Sequence, residues 1–289
     1  MPPPHTAAAP RMPWIGEFGS LFDDAAIFPP GNAPVITALA RHWEHRAAWY
    51  GPMVGTFVCD GRRGSELIGQ LDAGGPVLDL SLVIGQDLES LATDVTRVRA
   101  HPRVRLVAVE MPVGHVDPAA TGALLQKVAT TVPRTATVYA EVVLGPGAHQ
   151  SIQAVAEAGF RIKFRTGGTR ADAFPDESTL AKGLVRAVRL RVPFKLTAGL
   201  HHAVRHTDPG TGFEHHGFLN VMAAVAAAHE GADEETVTSL LACREPDSVA
   251  RSCTPARRVT ARAWFTSFGT CSIDEPLADL VDLRLVERH

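Results

Sequence analysis

The sequence predicts a single (β/α)8 barrel, the TIM-barrel architecture, and three observations carry that reading. Short β-branched runs alternate with longer helical patterns along the whole chain. The runs are continuously apolar, as parallel strands covered by helices on their outer face tend to be. Eight such units fall within roughly 250 residues, the length that a closed barrel uses. The doubly wound open sheet is the competing class, but no G-x-G-x-x-G stands at the first strand–helix turn.

Residues 1–14, rich in Pro and Ala, are expected to be disordered, and residues 15–289 to form the barrel with its catalytic site. The first strand is expected at Ala25–Pro30, followed by a helix ending near Tyr50. Met53–Asp60 precedes a short helix around Glu66–Leu71, and Pro76–Gly85 precedes a helix to Ala100. Arg103–Pro112 leads to Ala119–Thr131, and Thr135–Gly145 to Gln150–Ala158. Phe160–Gly168 leads to Ser178–Arg191, Pro193–His202 to a long helical region, and Arg262–Thr270 to Pro276–Leu285. The Gly- and His-rich stretch 199–217 reads as a long loop on the active face. The Ala-rich run VMAAVAAAH reads as a packed barrel helix or as a subunit contact of a homo-oligomer. Asp23 and Asp24 before the first strand could ligate a metal but read more readily as a solvated turn, and Asn220 reads as a helix cap or a residue reaching the mouth.

Composition narrows the function classes. The 289 residues are 45% hydrophobic and 20% charged, enough apolar content for a real core. A net charge of −3 argues against a nucleic-acid surface or a polybasic membrane anchor. The longest apolar run, Val221–Ala228, is far short of the ~20 residues that span a bilayer. The first residues show no charged segment followed by an apolar one, so no signal peptide is expected. Four cysteines in a chain of this length do not make a disulfide scaffold. The expectation is a soluble, cytoplasmic protein with a small-molecule substrate, no nucleic-acid or membrane partner and no cofactor.

One feature of the composition points to chemistry. Of the 28 basic residues, only Lys127, Lys163, Lys182 and Lys195 are lysines. Where this chain needs mere positive charge it uses arginine. A retained lysine is then a candidate for what arginine cannot do, namely lose its proton and act as a nucleophilic amine. Lys127 and Lys182 sit in helical patterns and read as solvated. Lys163 and Lys195 sit in strands. Side chains alternate across a strand, so Lys163 and Arg165 point into the barrel if Ile162 and Phe164 face the helices. By the same alternation Lys195, Thr197 and Gly199 point inward on the seventh strand, Tyr139 and Glu141 on the fifth. Glu110 does so on the fourth, and Asp79 and Ser81 on the third. Charged inward residues belong near the C-terminal mouth, where barrel active sites lie.

Two ammonium groups on adjacent strands repel, and a dry mouth disfavours charge, so one amine is expected to be substantially neutral. A neutral amine attacks an aldehyde or ketone to give a Schiff base, whose iminium stabilises an adjacent carbanion. Glu110 or Glu141 would then keep the second amine protonated or shuttle protons.

The segments IKFRTGG, PFKLTAG and FGTCS resemble the last three strands of deoxyribose-phosphate aldolase and its class I aldolase relatives. The resemblance covers roughly a tenth of the chain. It implies that Lys163, opening a K-x-x-T-G motif with Thr166 and Gly167, forms the Schiff base, and that Lys195 lowers its pKa. It also matches Gly199 to the turn after strand seven, and Gly269, Thr270 and Ser272 to the segment closing strand eight. Three departures stand beside it. Arg165 replaces a small residue, the family's Gly-Gly phosphate turn is here Gly199-Leu200-His201-His202, and the family's catalytic aspartate has only Glu110 or Glu141 to match it. Arg165 could grip a carboxylate or phosphate bidentately instead.

The expected reaction is carbon–carbon bond formation or cleavage on a small aldehyde, keto acid or sugar-phosphate-like molecule. Lys163, Lys195, Glu110, Glu141 and His202 carry the chemistry in this reading. Arg165, Thr166, Gly167, Gly168, Thr197, Gly199, His201, His216, Ser267, Gly269, Thr270 and Ser272 contact substrate. Two other readings compete. One is a metal-dependent lyase, hydrolase or isomerase using the histidines of 201–216 with Cys271, Asp79, Glu110 or Glu141. The other is a non-catalytic small-anion binder using Arg165, Lys195 and His202.

Overall fold

The computed structural model describes residues 14–72, 74–85, 87–113 and 118–288. Its strands are β1 (Phe22–Asp24), β2 (Val54–Asp60), β3 (Leu78–Val83), β4 (Val104–Pro112), β5 (Thr137–Val142), β6 (Arg161–Arg165) and β7 (Phe194–Thr197), then β8 (His206–Thr207), β9 (Glu214–His215) and β10 (Phe265–Thr270). Eight of them close into a parallel barrel in the order β1-β10-β7-β6-β5-β4-β3-β2. The expected (β/α)8 class is thus observed. The other two, β8 and β9, form an antiparallel hairpin with His206 opposite His215. It lies inside the 199–217 stretch, above the mouth.

Each barrel strand carries apolar side chains outward onto its helix. Ile162, Phe164, Phe194 and Leu196 are fully buried, whereas Lys163 and Lys195 between them turn inward. The helices start where the sequence offers a cap. Asp176 accepts from the Thr179 amide at the head of Glu177–Arg189, and Asp87 accepts from the Glu89 and Ser90 amides at Leu88–Arg99. Phe218–His229 is buried from Phe218 to Ala227, which settles it as a packed barrel helix. Within it Asn220 neither caps nor reaches the mouth. Its amide donates to the Leu240 and Cys243 carbonyls at 2.8 and 2.7 Å, and its oxygen accepts from Arg205 N. A buried amide so engaged satisfies a loop, not a ligand.

The first strand differs from the expectation. Ala25–Pro30 is loop, and β1 is the three-residue Phe22–Asp24 just before it. Phe22 supplies the outward anchor, with its ring 5.4 Å from Phe268 and 6.0 Å from Phe218. Asp23 and Asp24 are buried, not a solvated turn. Residues 1–13 of the segment expected to be disordered lie outside the described residues. Trp14, at its edge, is buried and meets Trp49 edge-on at 6.3 Å. Among the described residues no helix is long and apolar enough to cross a membrane.

Candidate active site

At the C-terminal mouth the barrel opens into a cavity of about 720 Å³, with Lys163, Lys195 and Glu110 at its floor. Lys163 and Lys195 are direct register partners across β6 and β7. They do not face each other bare. Glu110 reaches in from β4 and lies between them, with Oε2 2.8 Å from Lys163 Nζ and Oε1 2.6 Å from Lys195 Nζ. Ser81 Oγ donates to the same Oε1 at 2.6 Å. Each lysine has one further carboxylate: Glu141 Oε2 at 2.9 Å for Lys163, and Asp23 Oδ2 at 2.7 Å for Lys195. Beyond Glu141 stands Arg165, whose Nε donates to Oε1 at 2.8 Å. Three cations and three carboxylates thus alternate in one chain, Arg165–Glu141–Lys163–Glu110–Lys195–Asp23. Alternation of this kind is what makes so many charges tolerable in a dry interior.

Asp23 is the residue that sequence reasoning missed. Its Oδ1 accepts from the Thr56 amide and hydroxyl, both at 2.8 Å, and its Oδ2 accepts from Ser267 Oγ at 2.6 Å as well as from Lys195. The backbone makes room for it. A Cβ on Gly55 would stand 2.4 Å from Asp23 Oδ1, so only glycine allows this approach. Asp24, on the opposite face of β1, pairs with buried His42 at 3.0 Å among the helices and has no part in the cavity.

The network acts on protonation states, and Lys195 is not a lysine that it depresses. Burial by itself would lower the Lys195 ammonium, but the charges of Asp23 and Glu110 outweigh it and hold Lys195 above the ordinary lysine range. Its ammonium also lies 5.5 Å from the centre of the Tyr139 ring. Burial alone would raise Glu110, yet Lys163 and Lys195 hold it well below the usual carboxylate range. Glu141 follows the same logic, lowered by Lys163 and Arg165 against its burial. The two lysines expected to repel each other are separated by the carboxylate of Glu110.

The expected substrate contacts divide into two groups. Arg165, Gly168, Thr197, His201 and Gly269 line the cavity, as do Lys163, Lys195 and His202 of the expected catalytic set. Of the remainder, Ser267 on β10 belongs to the buried network and the others lie in, or at the edge of, the loops behind the cavity wall. Thr166 is fully buried, and its hydroxyl donates to the Ala198 carbonyl at 2.6 Å. A Cβ on Gly167 would come 2.8 Å from Gly199 Cα, so the T-G pair of the first motif serves close packing of two loops. Gly199 has φ +72, and Ala198 before it φ +62, a left-handed pair that turns the chain sharply after β7. Thr270 donates to the Ser272 carbonyl at 2.9 Å within the turn after β10, and Ser267 is committed to Asp23.

The histidines disperse as well. His216 is fully buried away from the cavity, between the Pro175 carbonyl at 2.8 Å and Arg205 at 3.2 Å. Burial pushes its imidazole down to about 4, so it is a structural neutral base and not a substrate contact. His201 pairs with Glu275 at 2.8 Å and His202 with Asp279 at 3.2 Å, both on the rim. His206 and His215 continue the rim, their rings 5.2 Å apart, with His215 hydrogen-bonded to the Gly199 carbonyl. Cys271 is 4.0 Å from His201 Nε2, but burial raises its thiol and leaves it no activated nucleophile. Asp79, counted among possible metal ligands, is at the other end of the barrel, paired with Arg105. Among the described residues no three His, Cys, Asp or Glu side chains are grouped to hold a metal ion.

No family model matches the chain, and no curated protein matches it. Among solved structures it is similar to a protein from Coccidioides immitis described as a fructose-1,6-biphosphate aldolase, at 13% identity and TM-score 0.42, covering 84% of this chain and 94% of that one. It is also similar to a dihydropteroate synthase of Xanthomonas albilineans, at 14% identity and TM-score 0.40, covering 96% and 97%. A metal-dependent hydrolase of Pyrococcus furiosus is similar at 12% identity and TM-score 0.38, covering 91% of this chain and 52% of that one. Likeness at this level chooses no chemistry.

Proposed function

We propose that the protein is a Schiff-base lyase of the class I aldolase type, in which Lys163 condenses with a small carbonyl substrate and the iminium drives carbon–carbon bond cleavage or formation. The observation that carries this reading is the unequal standing of the two lysines. Lys195 is locked as a cation by Asp23 and Glu110. Both carboxylates that touch Lys163 already hold another cation, Glu110 through Lys195 and Glu141 through Arg165. Lys163 can therefore surrender a proton without leaving a buried carboxylate unpaired.

The reaction follows from these contacts. Glu141 or Glu110 takes a proton from Lys163, and the freed amine attacks the substrate carbonyl to give a carbinolamine. The same carboxylic acid protonates the departing hydroxyl, which leaves as water, and an iminium remains on Lys163. In the cleavage direction a carboxylate removes the proton of the β-hydroxyl, the Cα–Cβ bond breaks, and its electron pair flows into the iminium to form an enamine. The β fragment leaves as an aldehyde. Protonation of the enamine carbon and hydrolysis by water return the second product and free Lys163. Lys195 acts by position: it orients Glu110 and keeps it anionic between steps.

Carbonyl-oxygen exchange tests the reading without knowledge of the full substrate. Every passage through the imine replaces the carbonyl oxygen with one from water. A small ketone or aldehyde in ¹⁸O-water should therefore gain label at a rate that Lys163→Arg reduces to background. Label gain unaffected by that substitution would refute the assignment.

A further inference from the structure

Arg165 is placed where an ordinary aldehyde has no use for it. It stands two residues after Lys163 on β6 and on the same inward face, so the two Cα atoms are about 6.6 Å apart. Glu141 anchors both, with Oε2 at Lys163 Nζ and Oε1 at Arg165 Nε. That single bond fixes the guanidinium at its Nε edge. Among the described residues its two terminal nitrogens have no hydrogen-bond partner, and the side chain, about half exposed, lines the cavity. A planar fork of donors held beside an amine nucleophile is complementary to a carboxylate.

The opposite rim is poorly suited to an anion. In barrels of this kind phosphate commonly binds the loops after the seventh and eighth strands and a nearby helix N-terminus. Here the helix following β10, Asp274–Asp282, begins with Asp274 and Glu275, which occupy the positive end of its dipole. Glu275 lines the cavity and is bonded to His201. A phosphate there would meet carboxylate. Among the described residues, the free cationic donors next to the reacting nitrogen are those of Arg165, whereas Arg170, which also lines the cavity, is paired with Asp172.

Resting on the Schiff-base reading above, we infer that the carbonyl substrate is a 2-oxo acid whose carboxylate is bound by the terminal nitrogens of Arg165 while its 2-carbon joins Lys163. The geometry agrees. From Nζ through the imine carbon and the carboxylate to a donor nitrogen is about 6 Å. Two cations bonded to the two oxygens of one carboxylate are separated by a comparable span.

The test uses pyruvate and acetone, which share a methyl ketone and differ in the carboxylate. Imine formation is trapped with borohydride and quantified on Lys163 as a function of carbonyl concentration. The wild-type protein should half-saturate at a concentration at least tenfold lower for pyruvate than for acetone. Arg165→Gln should reduce that preference at least tenfold, and Arg165→Lys should restore part of it through charge alone. Equal half-saturation of the two carbonyls in the wild type, or a preference unchanged by Arg165→Gln, would overturn the inference and leave the Schiff base standing. Thermal stabilisation by pyruvate on the Lys163→Met background separates the two failures. Stabilisation that Arg165→Gln removes supports the carboxylate subsite even where nothing is trapped. Absence of both trapping and stabilisation overturns both readings.

Discussion

Glu110 bridges to Lys195 at 2.6 Å through Oε1, which leaves its other oxygen for Lys163. One side chain from β4 thus connects two lysines that are register partners on β6 and β7. The site is organised around this buried carboxylate. Removing it exposes each lysine to the other.

Glu110→Gln keeps the shape and loses the charge. Activity should fall by about 10²–10⁴-fold, the usual cost of a missing acid–base group. Glu110→Ala should also destabilise the fold by about 3–5 kcal/mol, because two buried cations lose their common partner. Steady-state kinetics and urea unfolding on both variants check this; unchanged kcat in Glu110→Gln would contradict it.

Asp23 and Asp24 are adjacent on β1 but predict opposite phenotypes. Asp24 pairs with His42 outside the cavity, so Asp24→Ala should lower Tm while turnover per folded molecule is retained. Asp23→Asn leaves Lys195 held by Glu110 alone and should lower kcat by at least tenfold. Equal effects of the two on kcat would mean that the β1 face has been misassigned.

How legible the protein was in its sequence follows from the same residues. The eight units, the inward direction of Lys163, Glu141 and Glu110, and the separation of two buried lysines from exposed Lys127 and Lys182 all follow from periodicity and composition. These are local signals. The first strand was not legible, because Phe22–Asp24 has one apolar residue and two acids, and its burial depends on Lys195 and Ser267, over 170 residues away in sequence, by 172 and 244 positions. The apolar Ala25–Pro30 beside it carried the stronger false signal. His216 and Thr166 misled for a related reason. A residue type suited to catalysis looks the same in sequence when it ties two loops together.

Acid should weaken the fold in two stages. His216 is depressed to about 4 when folded, against about 6.5 in an unfolded chain. Its contribution is complete above pH 6.5 and is lost as pH falls toward 4, because only the unfolded chain takes up the proton. The full loss is on the order of 3 kcal/mol. Glu110 and Glu141, also depressed, hold their contribution above about pH 4.3 and lose it below. Lys195 is raised, so its contribution is complete below about pH 10.4 and disappears only as pH rises through its folded value. Urea unfolding at pH 7.5, 5.5 and 4.5 should show His216→Gln flattening the upper acid limb. An identical slope in that variant would contradict the assignment.

The most direct test of the account is to map the bond itself. The protein is reduced with borohydride in the presence of small aldehydes, ketones and 2-oxo acids, digested, and its peptides are analysed by mass spectrometry. The account predicts one reduced adduct, on Lys163, with Lys195 unmodified. An adduct on Lys195 would reverse the roles of the two lysines. No adduct with any carbonyl would remove Schiff-base chemistry from this barrel.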